Sequence, residues 1–114
     1  MLRNQWDSGG VFADEIGVSP SLSPKYPNIS VPYGCMVPRR LDGLLAPGRH
    51  LACDPNSHSF MREIPQCWLT GQAAGVAAAL AAQAGVEPRA VSVADLQAHL
   101  VKQGAYLRGA AEAA

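Results

Sequence analysis

The sequence predicts an α/β fold: a strand-loop-helix unit with a proline-rich extended segment before it and a terminal amphipathic helix after it. Three observations carry this. Residues 65–84 hold no charged side chain, open at Pro65 and stop before Gly85; residues 19–38 contain Pro20, Pro24, Pro27, Pro32 and Pro38; and a periodic apolar stretch follows Ser92. Proline in a first turn needs no amide donor, and glycine just past a last turn tolerates positive φ, so 65–84 reads as one long helix. Proline at the density of 19–38 excludes a helix and leaves turns and edge-like extended chain.

Taken in order, Met1 to Gly10 is polar, with neither a signal-peptide core nor an amphipathic period, and reads as a chain entered midway. Val11 to Ile16 is a short helical or extended stretch before Gly17. Ile29 to Val37 alternates apolar with small or polar residues and predicts a strand interrupted by Pro32. Tyr33 within it either projects into a site or packs on a sheet with its hydroxyl in water. Arg39 to Gly43 is a polar turn. Leu44 to His50 reads as a short buried strand running into Gly48; Pro47 has no amide for a ladder, so either the ladder has ended there or the strand is weakened. Leu51 to Glu63 is a loop with the turn signal Asp54-Pro55-Asn56-Ser57. Ligands of open α/β sheets collect at the carboxyl ends of strands, so this unit is a candidate half-site.

The long helix has two different faces. Leu69, Ala73, Val76 and Leu80 fall at the spacing of an apolar stripe, while Gly71, Gly75, Ala78 and Ala82 line a face almost without side chains. Each helical glycine costs about 1 kcal/mol against alanine, so the pair points to a close approach by another backbone or a flat ligand. The first-turn amides lack an intrahelical acceptor and carry the positive end of the dipole, which suits a phosphate or a partly negative ring oxygen. After the turn Val86 to Arg89, Ser92 with Asp95 resembles a capping box and starts a second helix. Val93, Leu96, Leu100 and Val101 give that helix its apolar stripe, His99 lies on its exposed side, and Gly104 ends it. Tyr106 and Leu107 dock, and a tail follows.

Hydrophobic residues make up 48% of the 114 residues and charged ones 16%, a globular and rather apolar balance. The formal net charge is zero, so nothing argues for nucleic acid. Cys35, Cys53 and Cys67 are an odd number at wide spacings, which reads as reduced thiols in a cytoplasmic protein. A zinc site from Cys53, His58 and Cys67 matches no common spacing, and small buried residues are the ordinary reading.

Pro32-Tyr33-Gly34-Cys35-Met36-Val37-Pro38-Arg39, then Leu41-Asp42-Gly43-Leu44-Leu45 with Gly48-Arg49, then Arg62-Glu63-Ile64-Pro65-Gln66-Cys67 leading into Gly71-Gln72-Ala73-Ala74-Gly75, resembles the C-terminal portion of bacterial FAD-dependent oxidoreductases of the glutathione-reductase-like flavoprotein superfamily. The resemblance covers roughly Val11 to Leu107. It implies the C-terminal strand-loop-helix part of a Rossmann-type FAD-binding domain over 39–107, a segment over 1–38 crossing from a substrate domain, and a flexible tail over 108–114. Gly48 and Arg49 would lie beside the ribityl-pyrophosphate, Arg62, Ile64 and Pro65 would lead to the helix amino end, and Gly71, Gln72 and Gly75 on the helix behind would complete the set of cofactor-binding residues. That helix would stabilise the negative charge of reduced flavin around N1 and O2 during hydride transfer to N5. The chemistry would be the cofactor's, on a small-molecule substrate.

Two departures limit what the resemblance implies. Pro47 and Pro55 stand where the family has other residues, and no Gly-x-Gly-x-x-Gly sequence is present to cradle a pyrophosphate. The expectation is a part or small subunit of an enzyme, inactive and without good FAD binding alone, completed by an N-terminal polypeptide or by self-association. No residue stands out as a catalytic base; His50 and His58 are the nearby candidates. An alternative is a small helix-packing or membrane-associated protein using the Gly-x-x-x-Gly face of Gly71 and Gly75. Gln66, Thr70, Gln72 and Gln83 interrupt that helix as a membrane span. A third reading, a self-sufficient inactive α/β domain, conflicts with a helix so apolar all round, which a small chain covers poorly. Exposed apolar surface and association are expected.

Overall fold

A computed structural model describes residues 11–19, 29–53, 55 and 61–107. Residues 1–10, Pro20, Pro24 and Pro27 of the proline-rich segment, residues 54 and 56–57 of the Asp54–Ser57 turn, His58 and the tail 108–114 lie outside the described residues.

Strand β1, Glu15–Ser19, pairs antiparallel with β2, Ile29–Pro32, in the register Gly17 to Val31, Val18 to Ser30 and Ser19 to Ile29. The register shifts between Glu15 and Gly17, where Ile16 is the extra residue of a bulge. The 11–16 stretch is therefore a turn into a strand that runs through Gly17 rather than stopping before it. Gly17 is required by packing: a Cβ there would overlap Leu69 of the long helix. Glu15, buried at 1% exposure, accepts a hydrogen bond from the Ser30 hydroxyl, which itself accepts from the Phe12 amide at 3.1 Å. A carboxylate can be held in a core only with donors of this kind.

Two expected strands are corrected. β2 does not continue to Val37: from Tyr33 to Met36 the chain is a 3-10 turn. Asp14 drives the change, its carbonyl accepting from the Tyr33 amide at 2.8 Å and its Oδ2 from the Gly34 amide at 2.9 Å. Tyr33 is buried and its hydroxyl donates to the Pro88 carbonyl at 2.7 Å, so it points neither into water nor into a site. Leu44 to His50 is not a strand either. Leu44 is 48% exposed, the stretch is irregular, and Gly48 to His50 form another 3-10 turn. Pro47 has no amide to give a ladder and Gly48 has φ +68°, so the segment is held by single bonds such as Ala46 N to Met36 O at 2.8 Å. The α/β class holds, with a two-stranded sheet against helices.

Helix α1 spans Ile64–Ala84 and helix α2 spans Val93–Lys102. Their predicted ends are observed: Pro65 lies in the first turn of α1 and Gly85 caps its end at φ +66°, while Ser92 accepts from the Asp95 amide at 3.3 Å and Gly104 follows α2 at φ +96°. The buried face of α1 is Gln66, Thr70, Ala73, Ala74, Ala77 and Ala81. The predicted stripe is thus turned: Ala73 is central, whereas Leu69, Val76 and Leu80 flank it half-buried. On α2, Leu96 and Leu100 are buried and Val93 packs beside them, but Val101 is 45% exposed. Its stripe is narrower because α2 touches the rest of the chain along one seam, secured by Gln97 Nε2 donating to the Ala13 and Glu15 carbonyls at 2.9 and 3.1 Å. Leu107 is buried, while Tyr106 beside it stays 64% exposed.

No described helix is long and apolar enough to cross a membrane. The expected apolar surface is present: Ile64 is 57% and Trp68 73% exposed. The contact of Gly17 with Leu69 gives a direct test. Gly17→Ala should lower stability by about 1–3 kcal/mol through overpacking, and Leu69→Ala in the same chain should relieve part of that loss. Denaturant melts of the two single variants and the double variant measure the coupling.

Candidate functional site

The turn after Pro47 and the start of α1 meet through one hydroxyl. Thr70, fully buried, accepts a hydrogen bond from the Gly48 amide at 2.9 Å and has the Gln66 carbonyl at 3.0 Å as its own acceptor. Gly48 makes the reversal possible with its positive φ, and among the described residues an added Cβ would meet only Cys67 Sγ, at 3.9 Å. Next in the chain, Arg49 Nε donates to the Arg62 carbonyl at 3.2 Å, the same oxygen that Cys67 Sγ approaches at 3.8 Å. The result is a small platform of Gly48, Arg49 and Arg62 against the first turn of α1.

Among the described residues that first turn is open. Glu63 precedes it without giving a side-chain cap, and Glu63, Ile64 and Pro65 are all exposed. By their position the amides of Ile64 and Gln66 have no acceptor inside the helix, and Pro65 has no amide to satisfy. Of the predicted site residues, Gly48, Arg49, Arg62, Ile64 and Pro65 are therefore brought together. Gly71 and Gly75 are not part of the platform: both lie exposed further along the helix, with no described atom within 4 Å of an added Cβ. Gln72 is turned elsewhere, Nε2 donating to Gln103 Oε1 beyond the end of α2 at 3.0 Å.

Sequence reasoning overlooked Thr70 and Gln66 as the polar anchors of this arrangement. Their signal was available: they lie one helical turn apart in an otherwise apolar, alanine-rich helix, and a buried hydroxyl there needs a partner. Gln66 Nε2 donates to Ser19 Oγ at 2.9 Å and so ties the same turn to the end of β1.

On the other side of the Gly48 turn lies an open cleft of about 720 Å³, lined by Cys35, Met36, Arg39, His50, Ala52 and Arg89 among others. Arg89 is occupied in holding the cleft wall, its guanidinium donating to Asp42 Oδ1 at 2.7 Å and to the Pro38 and Leu41 carbonyls at 3.0 and 3.2 Å. His50 and His99 are both exposed. Among the described residues no group of three or more His, Cys, Asp or Glu is placed to hold a metal. Burial pushes the Cys35 thiol from the ordinary 9.0 up to about 12, so it stays protonated in the folded chain.

Two tests follow from this geometry. Thr70→Val strands the Gly48 amide and should cost about 1–3 kcal/mol, whereas Thr70→Ser should retain most of the stability; denaturant melts compare them. Above pH about 9 the unfolded chain loses the Cys35 proton while the folded chain keeps it to about 12, so the unfolded state binds fewer protons and stability falls as pH rises through that window. Thermal melts across the alkaline range should show a shallower fall in Cys35→Ala.

A family model described as FAD dependent oxidoreductase matches residues 8–100. No curated protein and no solved structure matches the chain. The match takes in the Gly48 turn, the cleft wall and the whole of α1, and the chain belongs to the FAD dependent oxidoreductase family, whose cofactor is FAD.

Proposed function

We propose that this chain forms the C-terminal wall of the flavin site of an oxidoreductase of the glutathione-reductase-like superfamily, closing over the ribityl and pyrimidine end of FAD. The observation that carries the reading is the convergence of Gly48, Arg49 and Arg62 on the uncapped, exposed start of α1. The donor set fits an anionic, flat-ended group: a guanidinium, a side-chain-free turn and helix-terminal amides, with no aspartate or glutamate in the first turn of the helix.

Bound FAD supplies the hydride acceptor, at its N5 atom. The chain's own residues would position and polarise. Arg49 would place positive charge beside the pyrophosphate, and Gly48 would let it approach because no side chain intervenes. The Ile64 and Gln66 amides, with the positive end of the α1 dipole behind them, would favour negative charge on the nearby ring edge without any side chain titrating. Ile64 and Pro65 would keep water from that edge. Thr70 acts one step removed, by fixing the Gly48 turn. Gly71, Gln72 and Gly75 would belong to the helix behind the site and would not touch the cofactor.

The remaining cradle would come from a further polypeptide segment carrying the pyrophosphate turn, with 39–107 belonging to the flavin domain and 1–38 crossing from a substrate domain. A small-molecule substrate would enter by the cleft beside Arg39 and His50. Three thiols without a disulfide fit a reducing compartment such as the cytoplasm.

The test is the visible spectrum of the chain purified alone and co-expressed with the polypeptide that carries the glycine-rich turn. Flavin absorption in the co-expressed sample only is the expected result, and Arg49→Ala should then weaken FAD binding by about tenfold or more, the size of a lost charge-assisted hydrogen bond. Flavin held by the chain alone would overturn the division of the site, and colour in neither sample would overturn the reading.

A further inference from the structure

We propose that the cleft between residues 34–39 and the stretch around His50 binds a small organic acid, its carboxylate on the Arg39 guanidinium and the His50 ring and its apolar body along Met36, Val37, Ala46 and Ala52. Calling that acid the substrate rests on the flavin reading; the binding itself does not. At about 720 Å³ the cleft is the size of a small-molecule site, for which about 300–1,000 Å³ is usual. Its lining is mostly apolar with a few polar groups, and these divide by whether the fold already uses them.

Arg89 is used. Its guanidinium bonds Asp42 Oδ1 and the carbonyls of Pro38, Leu41 and, at 3.4 Å, Arg39. The Tyr33 hydroxyl, donating to the Pro88 carbonyl at 2.7 Å, anchors the turn that carries it. The segment bearing Arg39 is therefore pinned from behind, and the Arg39 side chain leaves a fixed backbone. Arg39 and His50 are not used in this way. Both line the cleft and are exposed, and neither side chain has a hydrogen-bond or ion-pair partner among the described residues.

The nearby acidic groups are already committed or uncharged. Asp42 is held by Arg89, and the Asp14 carboxylate accepts from the Gly34 amide at 2.9 Å. The Cys35 thiol on the cleft wall is pushed up to about 12 by burial, so it carries no charge at neutral pH. An entering carboxylate thus meets a guanidinium fork and an imidazole, and a guanidinium pairs with a carboxylate through two parallel N–H bonds. A polypeptide segment suits the cleft less well, because it would cover Arg39 without bringing the countercharge that a buried cation requires. An inorganic anion would leave the apolar lining in water.

Titration of the full chain, without flavin, with benzoate, followed by two-dimensional amide NMR spectra, tests the assignment. Saturable shifts at Ala46 and Ala52 are expected, with a Kd of about 1 mM or below. Benzamide has the same shape without the charge and should bind at least about tenfold more weakly. Arg39→Gln should weaken benzoate binding by about tenfold or more, Arg39→Lys by less because it keeps the charge without the fork, and His50→Gln by a smaller factor than Arg39→Gln. Both positions are exposed, and thermal melts check that each variant folds. No saturable shift, or benzamide or inorganic phosphate binding as tightly as benzoate, overturns the proposal. So does binding that survives Arg39→Gln with its shifts centred on Ile64 and Gln66, which seats the acid at the start of α1. Benzoate should still bind in the sample co-expressed with the polypeptide that carries the glycine-rich turn; loss of binding there makes the cleft the seat of that segment and overturns the proposal. Colour and benzoate binding are separate readouts: a colourless co-expressed sample that binds benzoate overturns the flavin reading alone, and a coloured one that does not bind it overturns the cleft alone.

Discussion

The long helix α1 has no charged side chain to keep any of its faces in water, and the rest of the described chain is arranged by that requirement. β1 reaches it where Gly17 leaves room for Leu69, the Gly48 turn reaches it through Thr70, and the segment after α2 reaches it through Gln103 and Gln72. Its buried side is mostly alanine, so neighbours approach closely but each contact removes little apolar area from water. The larger core residues, Ile16, Met36, Met61, Leu96 and Leu100, supply the bulk that the helix lacks.

A core floor of alanine gives few shape constraints, and polar groups fix the arrangement instead. Gln66 bonds the end of β1, Thr70 bonds the Gly48 turn, and the Ser30 hydroxyl bonds the buried Glu15. Each of these would be costly if its partner shifted by an ångström, because a buried donor or acceptor would then go unmet. This is how the first turn of α1 comes to be held in register with Gly48 and Arg49. The platform is positioned by hydrogen bonds made inside the protein, while its outward groups, the Arg49 guanidinium and the helix start, remain exposed.

The helices were legible because their signals are local. Pro65, Gly85, Ser92 with Asp95, and Gly104 are chemical ends that need no tertiary context. The strands were less so. Ile29 to Val37 alternates as a strand should, yet Asp14, far away in sequence, takes the amides of Tyr33 and Gly34 and bends the chain into a turn. Leu44 to His50 has a strand's composition, but Pro47 and the positive φ of Gly48 decide otherwise, and only the proline was a warning. For the site, Gly48, Arg49, Arg62, Ile64 and Pro65 group by their motif, whereas in the sequence Thr70, the residue that joins them, is only an interruption in an apolar run. A periodicity of hydrophobic residues cannot point to a buried hydroxyl, because what places it there is the bond to a distant amide.

The absence of charge on α1 links the two ends of the argument. A lysine or glutamate on the outer face would cost a soluble helix nothing, and on the first turn an acid would stabilise the helix by meeting its dipole. Neither is present: the first turn has no acid and Ile64, Trp68, Gly71, Gly75, Ala78 and Ala82 face outward together. The helix start, with the exposed Glu63 just before it, and the uncharged outer seam both present surface that the described chain leaves uncovered. Each can be covered, the end by a negative group and the seam by a surface of matching size. The outer seam lies about a quarter of a turn or more around α1 from the Thr70 bond that seats Gly48, by the 100° step of the helix. One rigid element can therefore serve both without the covering of one disturbing the hydrogen bonds that hold the other.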